Sequence, residues 1–219
     1  MSARLSALLR EVAAGRPPAP DGAIDVLPQP DGPVAAVLSF TAHHVVAADV
    51  DPEWVHARLD GAGLSAPMGP RFLAALCDVL GREPDSIDLV LVATGDGRPP
   101  ALPLVPGDPD PDHPRAARAD RYRTGVRAWR TPGGEGLLLV GRGLAGRWEA
   151  AFEVDPAARG RGLGRALAAA AVGLVPAGEP VWVQVAPGNV ASVRAVLAAG
   201  PFTPVGGEIL FPATAATPG

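Results

Sequence analysis

Lysine is absent from this chain: all 19 of its basic residues are arginine. That excludes Schiff-base chemistry and the lysine of a phosphate-binding P-loop. GC-rich coding, which also favours Ala, Gly, Pro and Arg, accounts for the bias without selection on function. Cysteine is nearly absent as well. The single Cys77 cannot close an internal disulfide, and it sits in the apolar helical run FLAALCDVLG, which suits a core position in a reducing cytoplasm. The histidines His43, His44, His56 and His113 are scattered, so no metal-ligand spacing appears and no metal is expected. His43 and His44 follow one another in a strand-like run and would point to opposite faces.

Long apolar runs and an excess of positive charge are also missing. The longest uncharged apolar run, Ala166 to Val175, is about half of what a membrane span needs. A net charge of −4 gives no global attraction to nucleic acid or to an anionic membrane. The N-terminal SARLSALLREVAAG carries arginines inside its leucine pattern, so it reads as an amphipathic helix rather than a leader. The expectation is a cytoplasmic protein without nucleic-acid or membrane partners. At 219 residues the chain can bury one good core or two small halves, as a monomer or a homodimer.

Glycine and proline are abundant, and they punctuate the chain. GRPPAPDGAIDVLPQPDGP (15–33) reads as a linker or extended arm, and GDGRPPALPLVPGDPDPDHP (95–114) as a stretch unable to hold a regular element. The second stretch divides an N-terminal half, 1–114, from a core at 115–212 and a flexible tail at 213–219. In the first half, Val34 to Val50 reads as one long or two short strands. Two helices, DPEWVHARL and GPRFLAALCDVLG, and the strand SIDLVLVAT follow. In the second, the short helix RAARADRYR leads into three strands, GVRAWRT, GLLLVGRGL and RWEAAFEV. An alanine-rich helix, the strand PVWVQVAP, the helix NVASVRAVLAAG and a final hairpin FTPVGGEILF complete the order.

Two glycine loops compete as anion cradles. GRGLAG (141–146) matches a dinucleotide fingerprint by letter, but a strand follows it, where the fingerprint requires a helix N-terminus. It reads as a turn between strands. RGRGLG (159–164) does lie between a strand and a helix. Its glycines expose successive backbone N–H groups, and the helix start together with Arg159, Arg161 and Arg165 adds positive charge. A pyrophosphate would fit such a loop without lysine.

The element order around VDPAARGRGLGRAL resembles the C-terminal part of the GNAT superfamily of acyl-CoA-dependent N-acetyltransferases. The family's motif Arg/Gln-x-x-Gly-x-Gly/Ala is matched by Arg159, Gly162 and Gly164. Its later Asn, small residue, Gly-Phe pattern is matched by Asn189, Ser192 and Gly200, with Phe202 displaced by the inserted Pro201. The resemblance covers about Gly125 to Phe211. It implies a mixed α/β fold with a splayed central sheet. The N-terminal β-α-α-β half would supply the first strand and helices or be a degenerate second copy.

The resemblance also implies acetyl-CoA as co-substrate and a primary amine acceptor, on a small molecule or peptide, attacking directly in a ternary complex. Arg159, Gly160, Arg161, Gly162, Leu163, Gly164 and Arg165 would hold the pyrophosphate, with Asn189 contributing from the next helix. Phe152 and Val154 would offer main-chain groups to the pantetheine arm. Glu149 and Glu153 share a strand face beside the thioester and are the candidate general bases. Where many members carry a tyrosine acid, this chain has Val196, so Ser192 or a water would protonate the leaving thiolate. A non-catalytic acyl-CoA-binding module and a nucleotide-binding protein are the alternatives.

Overall fold

The structure, a computed structural model, describes residues 3–213. The tail expected at 213–219 lies outside the described residues from 214 on. In chain order the elements begin with α1 (Ala3–Ala13), β1 (Ile24–Leu27), β2 (Val34–Phe40), β3 (His43–Ala47), α2 (Pro52–Leu59), α3 (Pro70–Leu80), β4 (Ile87–Thr94) and β5 (Val105–Gly107). They continue with α4 (Pro114–Tyr122), β6 (Thr124–Arg130), β7 (Gly136–Arg142), β8 (Trp148–Val154), α5 (Leu163–Gly173), β9 (Pro180–Val185), α6 (Val190–Ala198) and β10 (Thr203–Pro212).

All ten strands join one mixed sheet in the order β1-β3-β2-β10-β4-β9-β8-β7-β6-β5. The pairs β1–β3 and β8–β9 are parallel and the others antiparallel. Strand β4 precedes the proline-rich stretch, yet it lies between β10 and β9, which follow it. Among the described residues no helix is long and apolar enough to cross a membrane, and no group of three potential metal ligands occurs.

Strand alternation sends each strand's side chains to two opposite faces. On one face, Val90, Val92 and Trp182 pack with Leu5, Leu9 and Val12 of α1 and with Tyr122 of α4. On the other, Leu91, Ala93, Ala150, Val181 and Val183 pack under Leu167, Ala168 and Ala171 of α5, while α2 and α3 cover Ala35, Val37, Ile209 and Phe211. The helix boundaries follow local chemistry. Asp51 accepts from the Glu53 amide at the start of α2, and Gly81 closes α3 in the left-handed conformation at φ 61°.

Three expectations fail for identifiable reasons. The arm at 15–33 contains β1, whose four residues pair in parallel with β3. The stretch 95–114 contains β5, an edge strand where Pro106 removes a donor no neighbour needs. The last element is one ten-residue strand rather than a hairpin. Its Gly206 marks a register shift against β4, and a Cβ there would collide with the Ser39 carbonyl of β2. Gly206 thus lets two backbones approach and does not turn the chain.

Candidate functional site

The parallel ladder between β8 and β9 holds at Trp148–Val181 and Glu149–Trp182, and the register stops there. Residues 150–154 continue along β7 alone. The Asp155 amide donates to the Glu135 carbonyl, which fixes the odd-numbered residues of this stretch toward β7. Alternation then turns the N–H and C=O of Phe152 and Val154 to the free edge, as an extended ligand requires. One of these groups has a partner: Arg159 Nε donates to the Val154 carbonyl at 3.1 Å.

A cleft of about 880 Å³ opens at this edge, between the end of β8, the loop before α5 and the first turns of α6. Phe152, Glu153, Val154, Asn189, Ser192 and the whole run Arg159 to Arg165 line it. The loop's shape comes from glycine. Gly160 and Gly162 sit at φ 76° and 84°, a conformation that costs a residue with a Cβ about 1–2 kcal/mol. Gly162 is also the N-cap of α5 and offers no side chain, so the first amides of the helix face outward without a capping group. Gly164 has a different role. A Cβ there would stand 3.5 Å from the Ala195 Cβ, so its smallness brings α5 close to α6.

The charge of the cleft opposes that of the chain. Arg115, Arg159, Arg161, Arg165 and Arg194 line it against a single carboxylate, Glu153. Among the described residues Arg161, Arg165 and Arg194 have neither an ion pair nor a hydrogen-bond partner. Unpaired guanidinium groups beside outward amides make an anion site with the capacity for more than one phosphate. Arg115 and Arg194 are additions to the residues chosen from sequence. Arg194 could have been found from its position on the helix that Asn189 caps.

The two glutamates behave differently from the sequence expectation. Glu149 does not line the cleft; it shares the α4 side of β8 with Glu153 but is wholly buried. It accepts from Arg123 Nε at 2.9 Å, from Arg147 Nε at 2.8 Å and from the Leu144 amide at 3.2 Å. Burial would raise its proton affinity, but Arg147 and Arg123 outweigh burial and hold it below the ordinary 4.5. Arg147 continues the chain of charge to Glu208 at 2.6 Å. The GRGLAG loop has its explanation here, since a Cβ on Gly143 would collide with the Glu149 carboxylate. The loop wraps an internal ion rather than a dinucleotide.

Glu153 does reach the cleft. The hydrogen bond from Arg115 Nε, at 2.8 Å, lowers its proton affinity against a smaller opposing effect of burial. Neither glutamate therefore has the raised proton affinity of a poised base. Asn189, which lines the cleft, spends its Oδ1 on the Ser192 amide as the N-cap of α6, and its amide nitrogen is left for another partner. The Ser192 hydroxyl has no hydrogen-bond partner among the described residues. Val196 is fully buried in the core.

No family model matches the chain, and no curated protein matches it. Solved structures do. A GNAT-family acetyltransferase from Colwellia psychrerythraea is 11% identical, and the match covers 78% of this chain and 76% of that one at a TM-score of 0.40. A GCN5-related N-acetyltransferase from Sphaerobacter thermophilus is 19% identical, with 64% of this chain and 55% of that one covered at a TM-score of 0.38. The second match thus spans about half of its counterpart. In both cases this chain is similar in structure to an acetyltransferase of the GNAT family.

Proposed function

We propose that the protein transfers an acetyl group from acetyl-CoA to a primary amine, by direct attack with both substrates bound. The observation that carries this reading is the arginine-rich cleft at an unpaired strand edge, in a chain whose overall charge is −4. An anionic head and an extended amide-bearing arm are what those two features fit together. Coenzyme A has both.

In this reading Gly160 to Arg165 bind the pyrophosphate through main-chain amides, and Arg161, Arg165 and Arg194 neutralise its charge. The free-edge groups of Phe152 and Val154 orient the pantetheine arm in the manner of an added strand. Bound acetyl-CoA supplies an activated thioester. The amide nitrogen of Asn189 steadies the arm from α6, and the Ser192 hydroxyl is within the same cleft to pass a proton to the departing sulfur. Because a thiol is acidic enough to leave without strong assistance, the buried Val196 in place of an acid is compatible with turnover.

Calorimetry with coenzyme A, followed by thiol release from acetyl-CoA over a panel of primary amines, tests the reading. Binding with amine-dependent thiol release is expected. Binding without release on any amine would favour an acyl-CoA-binding module instead, and protection by ATP or NAD but not by CoA would favour a nucleotide site.

A further inference from the structure

With Glu149 sealed in its ion chain and Glu153 neutralised by Arg115, neither glutamate of β8 is left as a base for the acceptor amine. A third carboxylate stands on the same face of the sheet as those two. Asp88 of β4 lines a small polar pocket of about 60 Å³ with Tyr122 of α4, Ala151 of β8 and Gln184 of β9; Arg115, Arg118 and Arg123 line it too, each already paired, with Glu153, Asp85 and Glu149 respectively. That volume takes an aminomethyl group or a few waters and nothing larger. Ala151 and Gln184 flank the strand gap just beyond the last registered pair, Glu149–Trp182. Arg115 lines both this pocket and the phosphate cleft, so the two are adjacent.

Three features point to a ligand here. Asp88 has no arginine partner; Ser86 Oγ donates to one of its oxygens at 2.8 Å, and the other is free. The Tyr122 hydroxyl is buried and without a hydrogen-bond partner, and so is Gln184 Nε2. The register sets Asp88 directly opposite Glu208, and like charges so placed repel. A bound cation would relieve that repulsion. Burial raises the proton affinity of Asp88, with Glu208 adding to the effect against Ser86 and Arg123.

We propose that Asp88 receives the ammonium group of the acceptor through the gap between β8 and β9 and takes its first proton, so that the substrate is an unhindered primary amine. This rests on the acetyl-CoA reading above. The ammonium gives one proton to the Asp88 carboxylate. The freed nitrogen lone pair forms the N–C bond to the acyl carbon and the C–S bond breaks. The thiolate keeps that electron pair and takes the second proton lost from nitrogen. The Tyr122 hydroxyl, which can accept from the ammonium, is a positioning group that confines the amine.

Two isosteric thioethers test this without knowledge of the natural acceptor. S-aminoethyl-CoA carries a primary ammonium into the gap, and S-propyl-CoA carries a methyl in its place. By calorimetry the wild-type protein binds the amine thioether roughly tenfold or more tightly. Asp88→Asn abolishes the preference while S-propyl-CoA binds unchanged; thermal melting checks that the variant folds, which the relief of repulsion with Glu208 favours. Equal binding of the two thioethers by wild type overturns the proposal and leaves the acetyl-CoA reading intact. So does a preference that survives in Asp88→Asn. Binding of neither overturns both.

Discussion

Arg115 Nε lies 2.8 Å from the Glu153 carboxylate, and Arg115 lines both the arginine-rich cleft and the Asp88 pocket. The pair neutralises the one carboxylate that lines the cleft among the described residues. A glutamate already bound to a guanidinium has little tendency to accept a further proton. Glu153→Gln is therefore expected to leave kcat within about threefold of wild type, because glutamine still accepts from Arg115. Steady-state acetyl transfer at neutral pH checks this. A loss of about a hundredfold would restore Glu153 as the base.

In the proposed reading Arg161 and Arg165 act on affinity rather than on chemistry. Each is expected to cost about tenfold in coenzyme A binding when changed to alanine, with kcat little affected. Both losses shrink at high salt, because the cleft opens to solvent. Calorimetry at two ionic strengths reads the effect. Dephospho and full-length coenzyme A, compared on Arg194→Ala, show whether that side chain meets the second phosphate group.

The glycines of the loop separate into two kinds by the same test. Gly160→Ala introduces no clash, since nothing lies within 4 Å of its Cβ position. Its φ of 76° nevertheless predicts a loss of about 1–2 kcal/mol of stability or a reshaped loop, with coenzyme A affinity falling in either case. Gly164→Ala meets the Ala195 Cβ, the Phe152 ring and the Val154 side chain at ordinary contact distances within a helix, so it is expected to be neutral or stabilising by up to about 1 kcal/mol. Urea denaturation of both variants distinguishes them.

Glu149 is expected to matter for stability. Its removal as Glu149→Ala leaves Arg123 without a carboxylate and Arg147 with Glu208 alone, and costs about 3–5 kcal/mol. Its folded proton affinity is held below the ordinary 4.5, so its contribution is fully present above that pH. The contribution is lost as the pH falls through 4.5 and below. Denaturation midpoints for wild type and Glu149→Gln should therefore converge in acid and separate at neutral pH. Gly143→Ala should mimic the defect by crowding the carboxylate.

Local chemistry was legible in the sequence wherever it is settled within a few residues. Asn189 caps α6 and Gly81 closes α3 as their types predict, and Arg159 to Arg165 form a loop that opens a helix. Long-range pairing was not legible. Four residues of β1 and three of β5 are too short to show periodicity, and both lie in proline-rich surroundings that mark edges as readily as loops. The Val205–Gly207 run looks like a turn until β2 is seen against Gly206. Asp88, proposed above to receive the amine, was invisible in the sequence for the same reason. Only the position of β4 beside β9 sets it under the strand gap, and nothing near Asp88 in sequence records that neighbour.

The central claim is that the loop before α5 and the free edge of β8 together hold coenzyme A. Isothermal titration of the purified protein with coenzyme A measures it most directly. The account predicts one molecule bound per chain, with affinity that falls as salt rises and is reduced in Arg161→Ala. Absence of binding by a protein that melts cooperatively would contradict it.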